Sequence, residues 1–240
     1  MAFVGSTNGS EGSESPRSRH AGPLGVTDPE YHHLRAFSDG VIMSPDVRHR
    51  LWRSWGLCER HAWLYFIFEC EVRYQPLGTS VLYQDLIGRA AIAIARPAVS
   101  DWAKVRRLAS RAACPTCDYL AVASRRTEGE PDQRGLARMQ SCEASRTIIK
   151  GSARYWRSWS CPVCFDGPGL PCRPHLLAQE AEPPASLAAD LAELETRIRV
   201  STKAMTVSGP DRTAETDGTL VAVVGWFAGW RTVEILARDR

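Results

Sequence analysis

Gly56-Leu57-Cys58-Glu59-Arg60-His61-Ala62-Trp63 is the stretch that decides how this chain is read. A cysteine and a histidine separated by two residues, just ahead of an apolar run, place two metal-binding donors on a tight turn or the first turn of a helix. The same spacing recurs in Cys114-x2-Cys117, Cys161-x2-Cys164 and Cys172-x2-His175, and Cys-Pro at 114/115 and 161/162 stiffens two of the turns. Four pairs supply eight donors, which is what two tetrahedral sites consume.

Four pairs can be joined into two sites in three ways. Seven residues lie between Cys164 and Cys172, and Asp166-Gly-Pro-Gly-Leu-Pro within them reverses the chain easily. The expected local site is therefore Cys161, Cys164, Cys172 and His175. Cys58, His61, Cys114 and Cys117 remain for a second, long-range site, a staple across a helical hairpin. Two structural Zn2+ ions are the expected cofactors, favoured over an iron–sulfur cluster, which can also use three thiolates and an imidazole. Dithiol redox cycling fits less well: it calls for a βαβ context that is not visible and leaves Cys58-x2-His61 unused. Cys70 and Cys142 stand outside the pattern and read as small buried hydrophobes. Arg60 and Arg173 fall inside ligand pairs, where they can offset the negative charge of a Cys3His site.

Around these turns the pattern is helical. Asp28 to Ser44 reads as a short helix and a loop, and Ser44-Pro45-Asp46 starts a helix that Gly56 ends. Further helices are expected from Cys58 to about Tyr74, Ser80 to Arg96, Asp101 to Ala112, Tyr119 to Arg126 and Gly135 to Ser145, with a polar turn at Thr127 to Gln133. Ser186 is expected to cap a helix reaching Met205, and a last helix runs from about Ala214 to Leu236. Periodicity fades at about 147–184, where Gly and Pro accumulate, so that region is expected to be an irregular zinc-bound loop. Few strands are credible. The expected fold is mainly α, a helical bundle with two zinc-stapled turns or knuckles. It consists of a disordered tail over residues 1–27 and one domain over 28–240.

Composition narrows the class. With 240 residues, 44% of them hydrophobic, the chain can bury a sizeable core. A formal net charge of +3, falling to about +1 with two loaded Cys3His sites, leaves no strong global footprint for nucleic acid. The N-terminus lacks the basic and apolar regions of a secretory signal, and no apolar run approaches the roughly 20 residues of a membrane span. A reducing cytoplasm is the expected location, where clustered cysteines tend to be metal ligands.

Other residues carry weaker signals. His32 and His33 precede the first ligand pair and are candidate ligands, or simply loop residues. Trp52-Arg53-Ser54-Trp55 and Trp156-Arg157-Ser158-Trp159 repeat one motif before a cysteine pair, and read as packing under metal sites or as a stacking surface for RNA. Gly225 and Gly229 form a G-x-x-x-G that suggests close helix packing. No catalytic constellation stands out, so catalytic residues stay unassigned.

Several stretches together resemble a family of uncharacterised bacterial proteins that combine Cys-Pro-x-Cys turns with Gly-Leu-Cys-x-x-His. They are Gly56 to Trp63, Ser80-Val81-Leu82-Tyr83-Gln84-Asp85-Leu86, Cys114 to Leu120 and Gly225 to Arg231. The resemblance implies a helical metal-binding fold and no known activity. One departure is the lack of a Cys-x-x-Cys ahead of Cys58; only His32 and His33 stand there. The expected function is an interaction or binding module for another protein or a small molecule. One alternative is an enzyme with a cleft site near Glu69, Glu71, Tyr83 and Asp85. Another is a nucleic-acid-binding regulator.

Overall fold

The computed structural model describes residues 24–123, 132–165 and 169–238. Among these, every regular element is helical. In chain order they are α1 (Asp28–Ser38), α2 (Pro45–Ser54), α3 (Glu59–Val72), α4 (Leu77–Ala95), α5 (Asp101–Val105), α6 (Pro115–Ala123) and α7 (Gln133–Ser141). There follow α8 (Glu143–Gly151), α9 (Ala153–Trp156), α10 (Pro162–Phe165), α11 (Arg173–Ala178), α12 (Leu187–Ala204), α13 (Ala214–Ala228) and α14 (Arg231–Ala237). Most of the expected tail and turn, and Asp166 to Pro168 of the reversing loop, lie outside the described residues.

Two helices form the axis of the core. Every residue of α3 from His61 to Glu71 is buried, as is every residue of α13 from Gly218 to Ala228. A helix apolar on all sides must be covered on all sides. Accordingly α3 packs against α1, α4, α7, α8, α13 and α14, while α13 packs against α4, α8, α9, α11 and α12. Trp63, Tyr65, Phe66 and Phe68 of α3 are fully enclosed, each contributing about 2–3 kcal/mol through removal from water. The long helices α4 and α12 lie along one another beside this axis.

Inside this apolar frame, two buried carboxylates start helices. Glu69 accepts from the backbone N–H groups of Gly78 (2.9 Å) and Thr79 (2.6 Å), and from the Thr79 hydroxyl (2.7 Å). It thereby caps α4, whose preceding residue, Pro76, supplies no side-chain cap. Glu71 does the same for α8, accepting from Ser145 N–H and Oγ, both at 2.8 Å. Each carboxylate satisfies donors that would otherwise be orphaned at a helix start.

Several boundaries differ from the sequence expectation. α4 starts at Leu77 because Glu69 reaches across to cap it, so Pro76-Leu77-Gly78 opens the helix instead of separating it from one that begins at Ser80. The expected 101–112 helix ends at Val105 and tightens into a 3-10 turn, Arg106–Leu108. The expected 135–145 helix divides into α7 and α8 at Cys142, which adopts a left-handed conformation. Ser186 makes no side-chain cap for α12. The stretch at about 147–184 is not irregular: α8 to α11 occupy much of it, anchored by Ile149, Trp156 and Leu176 in the core. Its helices are too short for a period to show, and its Gly and Pro fall at their ends. The last expected helix breaks at Gly229 (φ 105°, ψ 170°) into α13 and α14. The Gly229 carbonyl accepts from Trp63 Nε1 (2.9 Å), and the Glu59 carboxylate accepts from Arg231 N–H (2.8 Å). Both partners belong to α3, far away in sequence.

Candidate metal centres

Each of the four Cys-x-x-Cys/His pairs sits at a helix start in one way. The first ligand residue immediately precedes the helix, and its carbonyl accepts the first helical hydrogen bond. The bonds are Ala62 N–H to Cys58 O (2.9 Å), Asp118 N–H to Cys114 O (3.1 Å), Phe165 N–H to Cys161 O (2.9 Å) and Leu176 N–H to Cys172 O (3.0 Å). The second ligand residue then falls three positions on, above the first, the relation that a capping box uses. Two residues between donors is thus the spacing that lets one helical turn aim both side chains at one point.

Two such starts converge at each centre. Cys58 and His61 of α3 meet Cys114 and Cys117 of α6, whereas Cys161 and Cys164 of α10 meet Cys172 and His175 of α11. Within each group all ligand atoms lie within 4.8 Å of one another. In the first, His61 Nδ1 stands 3.3 Å from Cys58 Sγ, 3.7 Å from Cys114 Sγ and 3.3 Å from Cys117 Sγ, and the Cys58 and Cys117 sulfurs are 3.7 Å apart. In the second, His175 Nδ1 stands 3.2 Å from Cys161 Sγ, 3.4 Å from Cys164 Sγ and 3.2 Å from Cys172 Sγ, with 4.0 Å between the sulfurs of Cys164 and Cys172. The cysteines are free, and these separations are far beyond the ~2.05 Å of a disulfide. Both groups can hold a metal ion.

The imidazoles are oriented from behind. His61 turns Nε2 toward Glu30 Oε1 at 3.4 Å, and His175 turns Nε2 toward Glu180 Oε2, also at 3.4 Å. A carboxylate on the far ring nitrogen fixes which nitrogen faces inward and raises its basicity as a ligand. Glu30 is itself held by Thr27 N–H (2.9 Å) and by two bonds from Arg60, at 2.6 and 2.9 Å. Burial works against its charge, yet the nearby His61 ring and the bonds from Arg60 hold its carboxyl well below the usual range.

The thiols within each group are electrostatically linked. Hydrogen bonding from Cys58 draws Cys114 down to about 3, while bonding to Cys114 and burial push Cys58 far up. In the second group, bonds from Cys164 and Cys172 lower Cys161, and Cys164 rises to about 12. One thiolate per cluster is stabilised by its neighbours, whose own titrations are pushed up. A positive ion among the four donors would favour the thiolate form of all three cysteines.

No family of known proteins, curated relative or solved structure matches the chain. The functional reading therefore rests on the geometry itself.

The remaining candidates fall elsewhere. His33 bonds Thr116 Oγ1 through Nε2 (3.1 Å) and stacks on Tyr119, and neither it nor His32 joins a ligand group. Arg60 serves Glu30 and the carbonyls of Leu24 and Gly25. Arg173 turns into the fold and donates to Leu108 O (3.0 Å), Phe227 O (3.3 Å) and Ser110 Oγ. The enzyme candidates are not gathered: Glu69 and Glu71 cap helices, Asp85 accepts from Arg48, Trp52 and Arg89, and Tyr83 lies buried behind Gly56. A cavity of about 250 Å3 does lie between the first centre and α11, but its lining, which includes Ser54, Cys58, Arg173 and Phe227, contains none of these four. Glu30 and Glu180 were missed by sequence reasoning. For Glu30 a signal existed, since Thr27-x-x-Glu30 has the form of a capping box.

Proposed function

We propose that this chain is a cytoplasmic helical module, of the bacterial family it resembles, in which two structural zinc ions hold a rigid surface for a partner. The single observation that supports this most is that each centre is a complete set of four donors with a carboxylate behind its histidine. Three thiolates and an imidazole suit zinc. A tetrahedral zinc places sulfurs about 3.8 Å apart and sulfur about 3.5 Å from nitrogen, close to the separations found here. Ligand atoms this near to one another surround one ion and leave no room for a multi-iron core, which argues against an iron–sulfur cluster.

With four protein donors on each ion, no position is open for water or substrate, so the metal contributes folding energy and not chemistry. Glu69, Glu71 and Asp85, engaged in capping and ion pairs, add no acid–base machinery. A role in binding, to another protein or a small molecule, is the reading these features support. Elemental analysis of purified protein tests it: two zinc ions per chain are expected, and iron in their place, or fewer than about 1.5 zinc, defeats the two-site reading.

A further inference from the structure

The two Trp-Arg-Ser-Trp copies have different fates. In the second, Trp156 is buried against Trp230 and Phe165 and donates from Nε1 to Ile149 O (2.8 Å), an ordinary core position. In the first, Trp52 and Trp55 remain half-buried and line an open cavity of about 530 Å3 between α2, the end of α4 and the segment leading to Cys114. That volume is in the range of small-ligand sites.

Five arginines, Arg53, Arg89, Arg96, Arg107 and Arg111, line this cavity, and no carboxylate does. In a chain whose net charge is only +3 that is a strong local concentration, and like charges so close repel. Their roles differ. Arg107 is structural, donating to the carbonyls of Ala93 (2.9 Å), Arg96 (2.7 Å) and Pro97 (2.7 Å) that end α4. Arg89 sits over the face of Trp52, its guanidinium carbon 3.7 Å from the ring centre, and Asp85 tethers both, accepting from Arg89 Nε (3.2 Å) and Trp52 Nε1 (2.5 Å). Asp85 thus holds the arginine over the indole. Arg96 and Arg111 are exposed, with no side-chain hydrogen bond or ion pair among the described residues, and Arg53 makes one long contact of 3.4 Å to Arg111 O. Three forks of donors are left facing one opening.

Guanidinium forks match phosphate oxygens, and an arginine–tryptophan pair offers π surface that matches the face of a base. We propose that this cavity binds a nucleotide, its phosphate held by Arg53, Arg96 and Arg111 and its base stacked beside Arg89 and Trp52. The shared chemistry is a base with a phosphate, which a free nucleotide or a unit of a single strand both offer. The inference does not depend on what the metal centres do.

Calorimetric titration of the metal-loaded protein tests it, with AMP, adenosine, inorganic phosphate and an oligoadenylate of about ten nucleotides as probes. AMP is expected to saturate, with adenosine and phosphate each weaker by about tenfold or more. The double variant R96A/R111A is expected to weaken AMP at least about tenfold while the melting temperature and zinc content stay unchanged. R89K keeps the charge and loses the plane, so it is expected to weaken AMP and spare phosphate. An oligoadenylate that binds at least about tenfold more tightly than AMP, with an affinity that falls as salt rises, identifies the source as a strand; equal affinities identify a free nucleotide. Absence of binding by both AMP and oligoadenylate up to about 10 mM overturns the proposal. So does binding that R96A/R111A leaves intact, or phosphate binding as tight as AMP.

Discussion

The two candidate metal centres share a donor set and a local construction, yet they join very different lengths of chain. In the centre at α10 and α11 the paired sulfurs of Cys164 and Cys172 are eight positions apart, whereas at α3 and α6 Cys114 is 53 positions from His61. Closing the longer loop removes more freedom from the unfolded chain, by roughly 1.5 kcal/mol on a logarithmic length dependence. Burial differs as well. Glu30 behind His61 has a side chain 6% exposed, whereas Glu180 behind His175 is 56% exposed. The same four donors thus make a long-range clamp backed by a buried carboxylate in one place and a local knuckle backed by a water-exposed carboxylate in the other.

Breaking the clamp is expected to have the largest effect. Cys114→Ser should release one zinc and destabilise the chain by on the order of 5 kcal/mol, seen as a lowered melting temperature with one zinc retained. Cys172→Ser should also release one zinc but cost less, by roughly 1.5 kcal/mol. In that variant Cys58 should stay protected from alkylation; a reactive Cys58 would show that the ligand pairs are partitioned differently. A third change addresses the link between the centres. Arg173, between the ligands Cys172 and His175, is buried and donates to Ser110 Oγ and to the carbonyls of Leu108 and Phe227. Arg173→Met should leave those carbonyls unpaired and cost about 2–3 kcal/mol with both zinc ions kept. The smallest effects concern the carboxylates. Glu30→Gln should weaken zinc in the first centre by about 10- to 100-fold in a chelator competition. Glu180→Gln, screened by water, should change the second by much less, and equal losses would erase the contrast between clamp and knuckle.

Much of the local construction was legible in the sequence. The helices after Ser44 and Cys58 are set by proline, capping position and apolar period, all within a few residues. The Cys-x-x-Cys/His spacing likewise corresponds to one turn of one helix. The partition into a local and a long-range group followed from loop length, and the structure brings together the same sets. Other features were hidden because they depend on partners far away in sequence. Gly229 breaks the final helix where Trp63 and Glu59 of α3 meet its backbone. Glu69 and Glu71 had the look of catalytic acids, and only their contacts with α4 and α8 reveal them as caps.

By itself, then, the sequence determined the donor types, their spacing and the helical class, because these follow from backbone geometry over single turns. Tertiary structure alone decided what stands behind each donor and what each repeated motif faces. Trp156 of one Trp-Arg-Ser-Trp is sealed beneath Trp230, while Trp52 and Trp55 of its twin open onto a basic cavity. The physical reason is that burial and hydrogen-bond partners are properties of packing. Here that packing is set by two helices, α3 and α13, that are buried on every side over most of their length.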